Sequence, residues 1–327
     1  MKRLQFLRSG VKLAAGLAAA PWVARAQAPF PSRPVRIVVP YVVGGNLDVT
    51  TRLFAQHLSD ELGQPFVIEN RPGANGNTGT AQVLRTAPDG YTLAMVSAGT
   101  LTINPALYPT MPFDPEKDIA PISIVATGPM VLQVTNSLPV NSVPELIAYA
   151  RSRPGQLNFG SGGNGTLAHL SIEMLKTRAG IDIVHVPYKG TSLATTDVMA
   201  GHLHAMFDTL STAASLIKER KLRALAVTSA RRSKAFPDLP TLQEAGVADY
   251  VAETWAGLVA PAGTPADTVS RLQSAIARIA ARADVQQRLG SVGSEAVGGT
   301  PLEFARTANA DRKRWSEIVR ISGARAS

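Results

Sequence analysis

Residues 158–170 (NFGSGGNGTLAHL) carry the spacing G-x-G-x-x-G at Gly160, Gly162 and Gly165, between an expected strand and an expected helix. In a dinucleotide site of this spacing, the acid that holds the ribose stands at the end of the next strand, about 20 residues on. The candidate here, Asp182, begins its strand instead, and the strand's end reads His185-Val186-Pro187-Tyr188 with no acid. A phosphate loop needs a lysine after its last glycine, where this chain has Thr166. What remains is the property of any helix amino end: unpaired N–H groups and a positive dipole end, which favour a small anion by roughly 0.3–1 kcal/mol.

Ser161, Asn164 and Thr166 add short polar groups around Gly165, and His169 on the following helix could reach a ligand or cap the neighbouring strand. A second such end is expected at Tyr41-Val42-Val43-Gly44-Gly45-Asn46, where the glycines let a ligand approach the backbone and Asp48 can cap the helix. Two amino ends facing each other across a cleft would grip one carboxylate from both sides. The alternative is that both loops are simply tight strand-to-helix turns.

Other constellations are weaker. Ser161 with His169 or His185 would be a hydrolase pair, but the serine lacks the G-x-S-x-G elbow and no acid is placed to orient the base, so catalysis is not expected. His202 and His204, with Asp208, could ligate a metal, but the histidine pair follows Gly201 at a helix-to-strand turn and lacks a clear third ligand, so neither a metal nor a cofactor is expected. The absence of cysteine excludes disulfides, thiolate metal sites and cysteine nucleophiles. The basic run Arg231-Arg232-Ser233-Lys234 reads as a solvated loop, and Trp255 and Trp315 as packing residues, Trp255 being the better placed to sense closure.

The elements that must position these residues alternate between strand and helix. Strands are expected at 35–39, 66–69, 92–97, 157–159, 181–186, 204–207 and 222–228, and helices from about 47 to 62, 80 to 85, 167 to 178 and 191 to 200. Ser142-Val143-Pro144-Glu145 reads as a capping box, while Thr264-Pro265 and Thr300-Pro301 read as caps with proline at the first helical position. The extended runs 122–134 and 254–260 suit strands crossing between two lobes. The expected division is 27–126 with 255–327 as the first lobe and 127–254 as the second. About 300 residues, 45% of them hydrophobic, exceed what one core usually serves.

Lys2, Arg3, Arg8 and Lys12 precede an alanine- and leucine-rich run, and small residues offer cleavage after Ala26 or Ala28, so 1–26 reads as a secretory signal peptide. The apolar run is shorter than the roughly 20 residues a span requires. Removing the signal takes five cations and no acid, lowering the net charge from +9 to +4. That is not the balance of a nucleic-acid binder.

The chain resembles one family in an ordered set of motifs. These are PSRPVRIVVP (31–40), Gly44-Gly45 with Asp48, ENRPG (69–73), PDGY (88–91), Asn104-Pro105, HVPYKG (185–190), KLRALAVT (221–228) and APAGTP (260–265). Together they are similar to the Bug family, periplasmic substrate-binding proteins of tripartite tricarboxylate transporters, over essentially the whole mature chain. The resemblance implies an α/β type II periplasmic binding protein fold: two Rossmann-like lobes, a ligand cleft and a two-strand hinge. It implies a periplasmic location and no catalysis. It also implies a small organic carboxylate as ligand, delivered to integral membrane transporter subunits. The chain is expected to act as a monomer.

Carried onto this chain, the carboxylate loops are 41–48 and 161–166. Ser97, Thr100, Asn104, Tyr188 and Asp208 are expected at the ligand's distal end. Where relatives often have Pro-Ala-Gly-Gly-Pro, this chain has Val42-Val43-Gly44-Gly45-Asn46, which favours a larger or partly apolar carboxylate, or a carboxamide. A receptor that passes occupancy to a signalling partner, and a secreted esterase, are the alternatives.

Overall fold

A computed structural model describes residues 30–325, and the expected signal peptide lies outside the described residues. The chain begins with β1 (Val35–Val39), α1 (Asn46–Leu62), β2 (Phe66–Asn70), α2 (Asn77–Leu84) and β3 (Thr92–Ser97), followed by a π-helical turn (Gly99–Ile103) and α3 (Asn104–Leu107). Next come β4 (Ile119–Val134), α4 (Val143–Arg151), β5 (Asn158–Ser161), α5 (Leu167–Ala179) and β6 (Val184–Pro187). They are followed by α6 (Thr191–Ala200), β7 (Ala205–Thr209), α7 (Leu210–Lys218) and β8 (Arg223–Val227). β9 (Glu253–Pro261), α8 (Ala266–Ala280), α9 (Ala283–Gly290), β10 (Glu295–Ala296) and α10 (Pro301–Ser322) complete it.

Each lobe is founded on three parallel strands, ordered β2-β1-β3 in the first and β7-β5-β6 in the second. β1 shows why: Val35, Ile37 and Val39 are buried on one face and Val38 on the other, so the strand must be covered by helices on both sides. β4 belongs to both sheets. Its residues 119–129 pair antiparallel with β9, and its residues 130–134 pair with β7 and β8. The chain returns where Ala252 N bonds Thr228 O in the second lobe and Glu253 pairs with Pro129. β4 and the start of β9 thus form the two-strand hinge of a type II binding-protein fold.

α10 ties the lobes together on the far side. Its apolar stripe starts in the first lobe's core with Phe304 and Ala308 and ends in the second lobe's core with Trp315, Ile318 and Val319. Fully burying one such side chain contributes roughly 1.5–3 kcal/mol, so this helix holds both lobes firmly.

The caps differ from expectation in detail. Thr300 and Glu303 form a complete capping box. At α4, Ser142 Oγ accepts from Glu145 N, but the Glu145 carboxylate answers to Asn141 N (2.8 Å) rather than to Ser142 N. Thr264 does not cap α8: its hydroxyl donates to Pro261 O at 2.7 Å, and Pro265 takes the N-cap position. Helices α7 and α9 go beyond the expected set, because both follow a strand or another helix with scarcely a linker.

Candidate functional site

The first loop turns at Gly44, which has φ +82°, and α1 starts at Gly45 with no side chain capping it. Asp48 lies behind the loop. Its buried carboxylate accepts from Gly44 N (2.9 Å), Asn70 Nδ2 (2.9 Å) and the Arg52 guanidinium (2.9 and 3.0 Å). Burial alone would raise its pKa, but the hydrogen bonds from Arg52, Gly44 and Asn70 outweigh burial and hold it below the usual carboxylate range. Asp48 therefore does not cap α1 as expected, because it reaches back to Gly44 and leaves the helix's own first-turn amides without a side-chain acceptor.

The second loop is built differently. Thr166 caps α5 by accepting from His169 N (3.3 Å), and His169 Nδ1 accepts from Gly165 N (3.0 Å). His169 stacks on His185 with ring centroids 3.9 Å apart and planes 12° apart. His185 Nε2 lies 2.6 Å from Ser161 Oγ. Burial, then the charges of His169 and Lys176, push His185 down to about 3, so both rings are neutral at ordinary pH. The Ser161–His185 pair is thus a brace beneath the loop: the serine is wholly buried, and among the described residues no carboxylate bonds the His185 ring.

Both helix starts open on one cleft of about 270 Å³ between the lobes. Tyr41, Val42, Gly45, Asn46, Leu47 and Thr50 line it from the first lobe, Thr166 and Leu167 from the second. Asn75, Ser97 and Gly99 form one end, and residues 126–129 and 254–256 of the hinge strands form the floor. Thr209, Ser211 and Ser294 complete the wall, and among the described residues no charged side chain lines it. An anion entering this space meets backbone amides, hydroxyls and carboxamides.

Of the residues expected from sequence, Tyr41, Gly45, Asn46, Ser97 and Thr166 reach this lining. Thr100 and Asn104 lie immediately behind it. Tyr41 Oη is 2.9 Å from Ser97 Oγ and 3.0 Å from Thr100 Oγ1, and Asn104 Nδ2 donates to Asn75 O at 2.9 Å. Gly44, Asp48, Ser161, Gly165 and His169 support the loops from behind, and Asn164 is exposed.

Two of the distal-end residues point elsewhere. The Tyr188 hydroxyl donates to Asp197 on α6. Asp208 is buried beside Thr209, whose N–H it accepts at 2.7 Å, and burial pushes its pKa up to about 6. His202 is exposed beside Asp197, His204 Nδ1 accepts from Asn158 N, and no three His, Asp or Glu among the described residues are grouped to hold a metal.

Asn75, Thr209, Ser211, Ser294 and the hinge residues of the floor line the cleft without having been expected there from sequence. Asn75 carried a local signal: it sits in the glycine- and asparagine-rich turn at 71–79 and adopts a left-handed φ of +50°. The floor has none, because it is formed by the register of β4 against β9, residues about 127 positions apart.

The chain matches the model of the tripartite tricarboxylate transporter family receptor over residues 50–323. It is 35% identical to the protein BugT of Bordetella pertussis over 297 residues, 90% of this chain and 91% of the relative. Among solved structures, that of R. palustris Rpa4515 with adipate is similar at 38% identity and a TM-score of 0.84, covering 90% of this chain and 99% of that one. MatC (Rpa3494) from Rhodopseudomonas palustris with bound malate is similar at 32% identity and a TM-score of 0.79, covering 89% and 100%. The identity spans both lobes and the cleft between them, and the chain therefore belongs to the tripartite tricarboxylate transporter receptor family, solute-binding receptors rather than enzymes.

Proposed function

We propose that this receptor captures a small organic carboxylate in the cleft, on the outer side of the cytoplasmic membrane, and delivers it to integral membrane transporter subunits. The observation that carries the reading is the uncapped start of α1 opening, together with the start of α5, onto a cleft that no charged side chain lines among the described residues. Amide donors fixed at a helix end favour an anion without the desolvation cost of a buried cation. Two relatives above 30% identity, with adipate and with malate, support a dicarboxylate of about this size.

Ser97, with Tyr41 and Asn75, stands where the ligand's second end would lie. The Tyr41, Ser97 and Thr100 hydroxyls there bond one another, and in each pair either oxygen can be the donor. This suits a carboxylate or a carboxamide equally. The test is a thermal shift screen of the purified mature chain with linear mono- and dicarboxylates. Ligand at a hundredfold excess over Kd stabilises by about 2.7 kcal/mol. If no carboxylate in a broad panel moves the melting temperature, the reading fails.

A further inference from the structure

On that reading, we infer that Trp255 determines specificity by presenting a hydrocarbon face to the ligand, and that Asp311 of α10 is the residue that positions it. Trp255 lies at the hinge end of β9, lines the cleft and is 4% exposed. Its one polar atom faces away from the cleft: Nε1 donates to Asp311 Oδ2 at 2.9 Å, on the side of α10. Phe304 meets the ring edge-on at 5.2 Å and fixes its plane. Asp311 is itself 9% exposed and held by Arg314 Nη2 at 2.6 Å.

The placement on α10 follows from helical spacing. Phe304, Ala308, Asp311 and Trp315 occupy one buried stripe, and Asp311 is its one charged member. A carboxylate in that stripe is costly unless it is paired, and it is paired on both sides, by the indole and the guanidinium. With the indole N–H engaged, Trp255 itself shows the ligand only carbon, flanked by Ala126, Pro129 and Ala256, and of the two threonines beside it Thr127 already spends its hydroxyl proton on Thr254 O. A hydroxyl on the ligand's middle carbons set over the indole face would lose water for a carbon surface, whereas methylenes gain from the contact. The cleft should therefore favour carboxylates with an unsubstituted carbon chain over hydroxylated acids of equal length.

The test is calorimetric titration of adipate against 3-hydroxyadipate on the wild type and four variants. The wild type is expected to bind adipate about tenfold more tightly, the loss that follows from one hydroxyl that exchanges water for a carbon surface. Trp255→Phe, which keeps the carbon face, and Asp311→Asn, which keeps an acceptor for the indole, should preserve that ratio. Trp255→Gln, which brings a polar tip, and Asp311→Ala, which frees the N–H to turn toward the cleft, should reduce it to within twofold.

A purely structural role would weaken both acids equally and leave the ratio unchanged, which overturns the inference. An equal affinity of the wild type for the two acids also overturns it. If Asp311→Ala does not fold, the Trp255→Phe and Trp255→Gln pair decides. If the wild type binds neither acid nor any other carboxylate, the proposed function fails, and this inference with it.

Discussion

The two glycine loops reach one cleft with similar residue types, yet opposite means stiffen them. The first is braced by an ionised carboxylate: Asp48, paired with Arg52, takes the Gly44 amide from behind and leaves α1 uncapped. The second is braced by two neutral stacked histidines and capped by its own Thr166. The lesson is that an anion site at a helix end requires more than glycines. It requires that the local side chains satisfy the turn without consuming the helix's first amides. α1 meets that condition more fully than α5.

The largest effect should come from supplying α1 with the cap it lacks. Gly45→Asp places a carboxylate where the ligand would bind; φ there is −70° and an added Cβ finds no neighbour closer than 3.6 Å, so the variant should fold. Calorimetry should show at least a hundredfold loss of carboxylate affinity with no fall in melting temperature. The same experiment at the other loop is expected to differ. Gly165 has φ +77°, and a Cβ would lie 2.5 Å from Leu107 Cδ1, so Gly165→Val should lower the melting temperature before it says anything about ligand.

Next in size is Asp48→Ala, which leaves the Gly44 amide, Asn70 and Arg52 without their shared acceptor. Hydrogen bonds to a charged group are worth about 1.5–3 kcal/mol, and a loss of that order in urea unfolding is expected, accompanied by weaker ligand binding. A variant as stable as wild type would show that the brace is not needed.

The braces should also separate by pH. Asp48 has a lowered pKa, so its contribution is present above the unfolded value near 3.9 and is lost only as pH falls through the still lower folded value. His185 is lowered from 6.5 to about 3, so the unfolded chain takes up its proton first, and stability falls as pH drops from 6.5 toward 3. Asp208, raised to about 6, works in the opposite sense, with stability rising as pH drops through 6 toward 4. Comparing His185→Asn with wild type isolates the histidine. The variant's stability should decline less between pH 6.5 and 4, and parallel pH curves would refute the neutral brace.

The smallest expected effect is Thr166→Ala, a lost N-cap worth about 1 kcal/mol. Because the hydroxyl accepts from His169 N and donates to Gly163 O, ligand affinity should change less than it does at Gly45. A loss of affinity equal to that of Gly45→Asp would mean that the second loop holds the anion as much as the first.

Much of the fold was legible because its signals are local. The β-branched run at 35–39, the helix at 191–200 and the Thr300-Pro301 cap depend on residues a few positions apart, and each stands where its pattern placed it. The two glycine loops were legible for the same reason. The roles of their side chains were less so. Asp48 could equally cap forward to α1 or back to Gly44, and that choice depends on Arg52 and Asn70 standing on its other side.

The sequence by itself determined the alternation of strand and helix, the two helix starts rich in glycine, and a strand long enough to serve both lobes. Periodicity and turn chemistry act over a few residues and can be read one segment at a time. Only the tertiary structure decided which polar groups face the cleft. It turned Tyr188 to Asp197 and buried Asp208, brought Ser294 and the hinge strands into the wall, and turned the Trp255 indole toward α10. Each of those outcomes depends on a partner supplied by a distant segment. A side chain's orientation follows the hydrogen bond or packing it finds there, which only the assembled lobes provide.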